Sequence, residues 1–318
     1  MERKLKIVGL IIGLFLPLFP FPGIDYITRV ATLTVLYIVL ALGLNIIVGF
    51  AGLLDLGYVG FYGIGAYVAG LISVHYGWGF WYLIPLCICA GALSGILLGT
   101  PTLRLTGDYF AIVTFGFAEL VVLLIRNEIW LTRGPMGVAG IPPISFFGHQ
   151  FTKEWEYYYI IFIIFLIVLL FIKRLENSKI GRAWFAIRED EIAAQCCGVN
   201  LVRYKVLAFA ISASIGAIGG AFYARWFRFI HPDMFKFWES ILILCLIVFG
   251  GMGNVWGVIL GTIVLIPMTE ILRNILPQEF VQARYLIFGA LLVIMMRFRP
   301  NGLLPFSRER KDENFKSS

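Results

Sequence analysis

KRLENSKIGRAWFAIREDEIAAQCCGVNLVRYK, running from Lys173 to Lys205, decides how this 318-residue chain is read. It is a charged island between two apolar runs, each long enough to cross a bilayer core, which takes about 17–25 residues of helix. Inside it, Asn177 or Ser178 can cap a short helix through Trp184, Ile187, Ala193 and Ala194, and Gly198 suits a left-handed C-terminal stop. That helix lies outside the bilayer. One flank offers Trp184 and Ile187 among Arg182, Arg188, Glu189, Asp190 and Glu191, so a partner could take the apolar residues and be held in register by the charges. A second reading stays open: an ordinary cytoplasmic loop whose basic residues fix topology and touch lipid headgroups.

Working outward, composition excludes a soluble globule. The chain is 60% hydrophobic and only 14% charged, against roughly 45–50% apolar residues in soluble domains. The five cysteines form no C-x-x-C pair: Cys87, Cys89 and Cys245 sit in apolar runs, and Cys196 and Cys197 are adjacent on the island. The net charge of +7 does not call for nucleic acid, because the basic residues cluster around membrane spans.

The expected fold class is an all-α polytopic membrane protein of about ten hydrophobic segments, a single transmembrane domain over 1–318. Residues 1–22 have a basic start and an apolar run from Ile7 to Phe19 without an A-x-A cleavage site, hence an uncleaved first span. Further spans are expected near 27–49, 58–76, 80–99, 109–126, 156–172, 205–226, 239–253, 255–272 and 282–297. With the N-terminus in the cytoplasm, 17 of the 26 basic residues fall inside, which puts the island 173–205, the tail 298–318 and both termini on the cytoplasmic side.

Two segments interrupt this pattern. GFAGLLDLGYVGFYGIGAYVAG, Gly49–Gly70, is too rich in glycine for a simple lipid-facing helix. It reads either as close helix packing or as a broken, re-entrant stretch whose freed backbone lines a polar cavity, and Asp55 inside it favours the second. VFGGMGNVWGVILG, Val248–Gly261, breaks a second apolar run at Gly250 and Gly251, so the two breaks together point to a central pathway. Glu119, deep in the apolar run that follows Arg104, is a further pathway candidate because an ionisable group at that depth is costly. Gly91, Gly95 and Gly99, and the series Ala208, Ser212, Gly216, Gly220 and Ala224, recur at four-residue spacing as helix-packing faces. The long external loop 127–156 suits an extracytoplasmic partner. His75, His149 and His231 stand at separate external positions and make no metal set.

The run Glu191-Ile192-Ala193-Ala194 followed by Gly198 resembles the coupling-loop signature of ABC importer permeases. The longer GRAWFAIREDEIAAQCCGV, the segment Gly49–Tyr67, the string RLTGDYFAIVTFGFAEL from Arg104 to Leu120, the G-G-M-G break and RPNGLLP from Arg299 to Pro305 are similar to the LivM-type permeases of branched-chain amino acid importers. The resemblance implies a bacterial or archaeal inner-membrane permease paired with a second, homologous permease subunit. It also implies two cytosolic ATPase subunits and an extracytoplasmic binding protein delivering leucine, isoleucine or valine. ATPase coupling is then expected from Gly181, Arg182, Arg188, Glu189, Asp190, Glu191, Ala194 and Gly198, and the pathway from Gly49, Asp55, Glu119, Gly250 and Gly251.

The chain has no G-x-x-x-x-G-K-[ST], no H-E-x-x-H and no G-x-S-x-G. It is therefore expected to be no enzyme and to bind no cofactor, with ATP used by partner subunits. Urea, a short amide or another amino acid remains open as substrate, since no residue reads out a leucine side chain. An ion-coupled transporter or channel is the reading from another class, and it calls for paired intramembrane ionisable groups.

Overall fold

The computed structural model describes residues 24–102, 107–146 and 149–275, with Gly289, Ala290, Val293, Arg297 and 302–304 near the C-terminus. The chain is helical almost throughout: α1 (Ile24–Asn45, continued by a π-helical turn Ile46–Phe50), α2 (Tyr58–Tyr76), α3 (Phe80–Thr102) and α4 (Asp108–Asn127). A single turn, α5 (Ile129–Thr132), opens the loop that leads to α6 (Glu154–Glu176). Two short helices, α7 (Lys179–Glu189) and α8 (Glu191–Cys196), make up the island before α9 (Leu201–Phe227), α10 (Phe237–Gly250) and α11 (Val255–Ile275).

Among the described residues seven helices are long and apolar enough to cross a membrane, namely α1 with its π turn, α2, α3, α4, α6, α9 and α11. The expected span 239–253 is the 14-residue α10, shifted two to three residues toward the N-terminus and about 21 Å long at 1.5 Å per residue, because Gly251 takes φ 118 and ends the helix. The first expected span, most of the tenth and most of the tail 298–318 lie outside the described residues.

The small-residue stripes meet each other. α9 runs through the middle of the bundle against α2 and α3. A Cβ added at Gly91 or Gly95 on α3 would press into the α9 backbone at Ala213 and Phe209, and one at Gly65 or Gly220 would collide with the backbone of Ala217 or Tyr62. Helices this close gain their contact from dispersion between backbones, the source of association that remains when lipid is as apolar as the side chains.

The end of the bundle opposite the island is tied across the same helix. Arg225, buried in the last turn of α9, donates to the carbonyl oxygens of Pro142 (3.1 Å), Pro143 (3.2 Å) and Trp78. The two-residue strands β1 (Val138–Ala139) and β4 (Phe229–Ile230) pair antiparallel, with β2 (Ser145–Phe146) on β3 (His149–Gln150) beside them. Arg126 bridges to Asp233 at 2.6 Å, and the expected loop 127–156 is a stitched cap because Arg225 holds Pro142 and Pro143 while β4 holds β1.

Gly95→Leu should destabilise the purified chain by about 1–3 kcal/mol through overpacking, whereas Gly116→Leu, at a glycine with open space around it, should leave stability unchanged; thermal unfolding in detergent compares them.

Candidate functional site

The island folds from its caps inward. Ser178 Oγ accepts from the backbone N–H of Ile180 (3.2 Å) and Gly181 (3.3 Å), which starts α7 with only Asn177 and Ser178 separating it from α6. Gly181 is glycine because a Cβ would collide with the carbonyls of Leu175 and Glu176. The single helix expected here is two helices. Asp190 turns extended (φ −157, ψ 114) and its Oδ1 accepts from Ile192 N (2.8 Å) and Ala193 N (3.0 Å), so a side-chain acceptor draws the backbone out of α7 and restarts it as α8. Gly198 ends α8 at φ +83, as its left-handed role requires, and Val199 N returns to Ala194 O at 3.0 Å.

The faces of this elbow differ from the expectation in one respect. Trp184 and Ile187 are buried, and Trp184 Nε1 donates to Tyr204 O at 2.7 Å. Their side of α7 rests on the chain's own helices, so they are not offered to a partner. The outer face is instead Arg182, Glu189, Asp190, Ala193, Gln195, Cys196, Cys197 and Ile192, the last 75% exposed. Ala194 is buried beneath α8. Glu191 bridges to Lys205 at 2.7 Å, and the Lys205 side chain is only 5% exposed, which ties α8 to the first turns of α9. Between them lies an open hollow of about 450 Å³ lined by Glu191, Gln195, Gly198, Asn200, Val202 and Lys205.

Arg188 points the other way. Its Nη1 donates to the carbonyl of Gly49 at 2.7 Å, and Phe185 packs edge-on against Phe50 with ring centroids 5.1 Å apart. Both residues lie in the π turn that ends α1, where Ala51 N reaches Ile46 O at 3.1 Å. The second break comes to the same place: Gly253 N donates to Asn45 Oδ1 at 3.0 Å, and a Cβ on Gly49 would collide with both groups. Gly250 packs against the Gly257 backbone, and Gly251 against Gly302. Leu303 N and Leu304 N donate to Phe249 O and Gly250 O at 2.9 and 3.1 Å, while Asn254 Nδ2 donates to Leu304 O at 3.2 Å. Leu303 and Leu304 thus satisfy carbonyls that the second break leaves open.

Asp55 and Glu119 are not part of this junction. Asp55 is fully buried at the foot of α2, where Oδ1 accepts from Gly57 N at 2.8 Å and Oδ2 has no hydrogen-bond partner among the described residues. Beside it Leu56 N donates to Thr114 Oγ1 at 3.1 Å, and a Cβ on Gly57 would meet the Thr114 carbonyl, so the stretch is clamped on α4. Glu119 lies further along α4, half-buried, with no hydrogen bond or ion pair among the described residues. It stands on an outward face with Tyr109, Ile112, Leu120 and Leu124, at the level where Gly116 leaves open space.

A polar pair at the membrane helices escaped the sequence reading. Tyr37 OH on α1 donates to Glu239 Oε2 in the first turn of α10 at 2.6 Å. Glu239 stands where an apolar run begins and reads as an interfacial residue, and nothing in the sequence pairs it with a tyrosine 202 positions away.

Comparison with known proteins bears on the whole chain. The model of the family described as "Branched-chain amino acid transport system / permease component" matches residues 26–296. The high-affinity branched-chain amino acid transport system permease protein LivM of Salmonella typhimurium is 41% identical over 302 residues, 88% of this chain and 70% of its own. LivM of Escherichia coli is 40% identical, covering 96% of this chain and 76% of its own, and LivH of the same organism is 23% identical over 86% and 92%. No solved structure matches the chain. A family match spanning both glycine breaks and the whole elbow, on a bundle of membrane-crossing helices, shows that this multi-pass chain belongs to the permease family of branched-chain amino acid transport systems.

Proposed function

We propose that the chain is one of two related permease subunits of an ABC importer in a bacterial or archaeal cytoplasmic membrane, with both termini in the cytoplasm. It carries leucine, isoleucine or valine handed over by an extracytoplasmic binding protein, and two cytosolic ATPase subunits drive it. The observation that carries this reading is the capped α7–α8 elbow, held outside the bundle between α6 and α9 and presenting Glu189, Asp190, Ile192 and Gln195 outward. An exposed isoleucine ringed by charges suits insertion into a groove on a partner, with the charges setting register. The relatives' names supply the substrate class, and relatives of two kinds support a pairing of unlike permeases. The stitched external cap, with exposed Met136 and Trp130, is the surface for the binding protein.

In this mechanism ATP-driven closure of the ATPases displaces the elbow, and α9 follows because the Glu191–Lys205 bridge and the Trp184–Tyr204 hydrogen bond fix it to α8 and α7. The bundle then switches the pathway between outward and inward access. The pathway runs along the outward face of α4. Facing lipid, the Glu119 carboxylate would cost on the order of 3 kcal/mol, so water or the second permease covers that face. Asp55 supports the pathway from behind by holding the Gly57 N–H that precedes α2.

Proteoliposomes holding the chain, its permease partner, the ATPases and the binding protein should hydrolyse ATP faster when leucine, isoleucine or valine is supplied. Stimulation by urea alone would replace the substrate; uptake driven by an ion gradient with no bound ATPase would refute the mechanism. Ile192→Asp should lower ATPase co-purification about tenfold or more by burying an unpaired carboxylate, with membrane insertion intact. Gly116→Leu, neutral for the isolated chain, should reduce transport because it fills the α4 face.

A further inference from the structure

We propose that Arg188 acts inside the chain, as the positioning residue that carries displacement of the elbow to both glycine breaks, and that it is not a contact to the ATPase; this rests on the importer reading above. Arg188 sits in the last turn of α7, two residues before the Asp190 elbow, so its Cα moves with the docking surface. Its side chain turns inward. The guanidinium donates to the Gly49 carbonyl at 2.7 Å, a charge-assisted bond to the end of α1.

The stem and head of the side chain fill a slot with a glycine on either side. A Cβ on Gly52 would lie 2.9 Å from Arg188 Cγ, and one on Gly253 would lie 2.8 Å from Arg188 Nη1. Both glycines have positive φ, +73 and +84, so each marks a place where the backbone has already left its helix. The breaks are joined to each other as well, since Gly253 N is held by Asn45 Oδ1 at 3.0 Å, one turn before Gly49 on α1. One cation therefore touches the π turn of α1, the link to α2 and the link between α10 and α11.

A shift of α7 that keeps this bond pulls on α1 and, through Asn45, on the break before α11. A shift that breaks it leaves a buried carbonyl without its donor, which is unfavourable unless the π turn rearranges. Either way the breaks cannot ignore the elbow. Glycine at 49, 52 and 253 leaves the backbone room to take a second conformation, the two-state element that a transmitted displacement needs.

The test is the reconstituted importer with Arg188→Ala and Arg188→Lys. Both should retain bound ATPase and its ATP hydrolysis. Amino acid carried per ATP hydrolysed should fall about tenfold or more in Arg188→Ala, from the size of a buried charged hydrogen bond, and recover partly in Arg188→Lys, which restores a donor without the fork. An unchanged ratio in Arg188→Ala overturns the proposal. So does loss of the ATPase from both variants, which would make Arg188 a docking contact. Should Arg188→Ala fail to insert, Gly253→Ala supplies the same readout, because its methyl displaces the guanidinium; a normal ratio there overturns the proposal too. A wild-type chain that binds no ATPase fails the importer reading itself, a result separate from any effect of Arg188.

Discussion

A backbone N–H or C=O inside a bilayer must find its partner within the protein, because no water is there to take it. Continuous helices meet this demand by themselves, and most of this chain is continuous helix. The two breaks inside the bundle, around Gly49–Gly57 and Gly251–Asn254, draw in polar groups from several other segments. Asn45 takes Gly253 N–H, Arg188 takes the Gly49 carbonyl, and Asp55 and Thr114 take the N–H groups of Gly57 and Leu56. The tail closes the carbonyls of Phe249 and Gly250. The location of the breaks thus decides which other segments must come together.

Glycine enters the bundle in two physically different ways. On α3 and α9 it removes bulk so that backbones touch, and a single methyl group would separate the helices. At Gly52, Gly198, Gly251 and Gly253 it supplies a positive φ that other residues resist. The first use makes α2, α3 and α9 a rigid block, since close contact leaves no slack. The second makes hinges at the block's edge, and the elbow α7–α8 is mounted beside them.

The elbow itself owes its form to Asp190. Without a side-chain acceptor at that position the island would continue as one helix, and Arg188 and Ile192 would follow the same helical surface. The bend separates their tasks: Arg188 faces the breaks, while Ile192 faces outward. Burial of Trp184 and Ile187 anchors the whole elbow to α9, so the apolar residues that look like a docking face serve instead to hold it in place.

Composition, hydropathy and charge bias determined the membrane class and most of the crossing helices, because a bilayer imposes lengths and flanking charges that a single sequence displays. Local chemistry likewise placed the caps, Asn177 or Ser178 opening the helix and Gly198 closing it, and the structure selects Ser178, since each acts on backbone within four residues. The glycine stripes announced close packing, though not which helix would fill them. Tertiary structure alone decided that Gly49 meets Gly253, that Arg188 reaches both, and that Tyr37 pairs with Glu239. Contacts such as Tyr37–Glu239 join positions 202 residues apart, and their partners are chosen by which unsatisfied groups the packed helices bring within hydrogen-bonding distance, a choice that no local pattern contains.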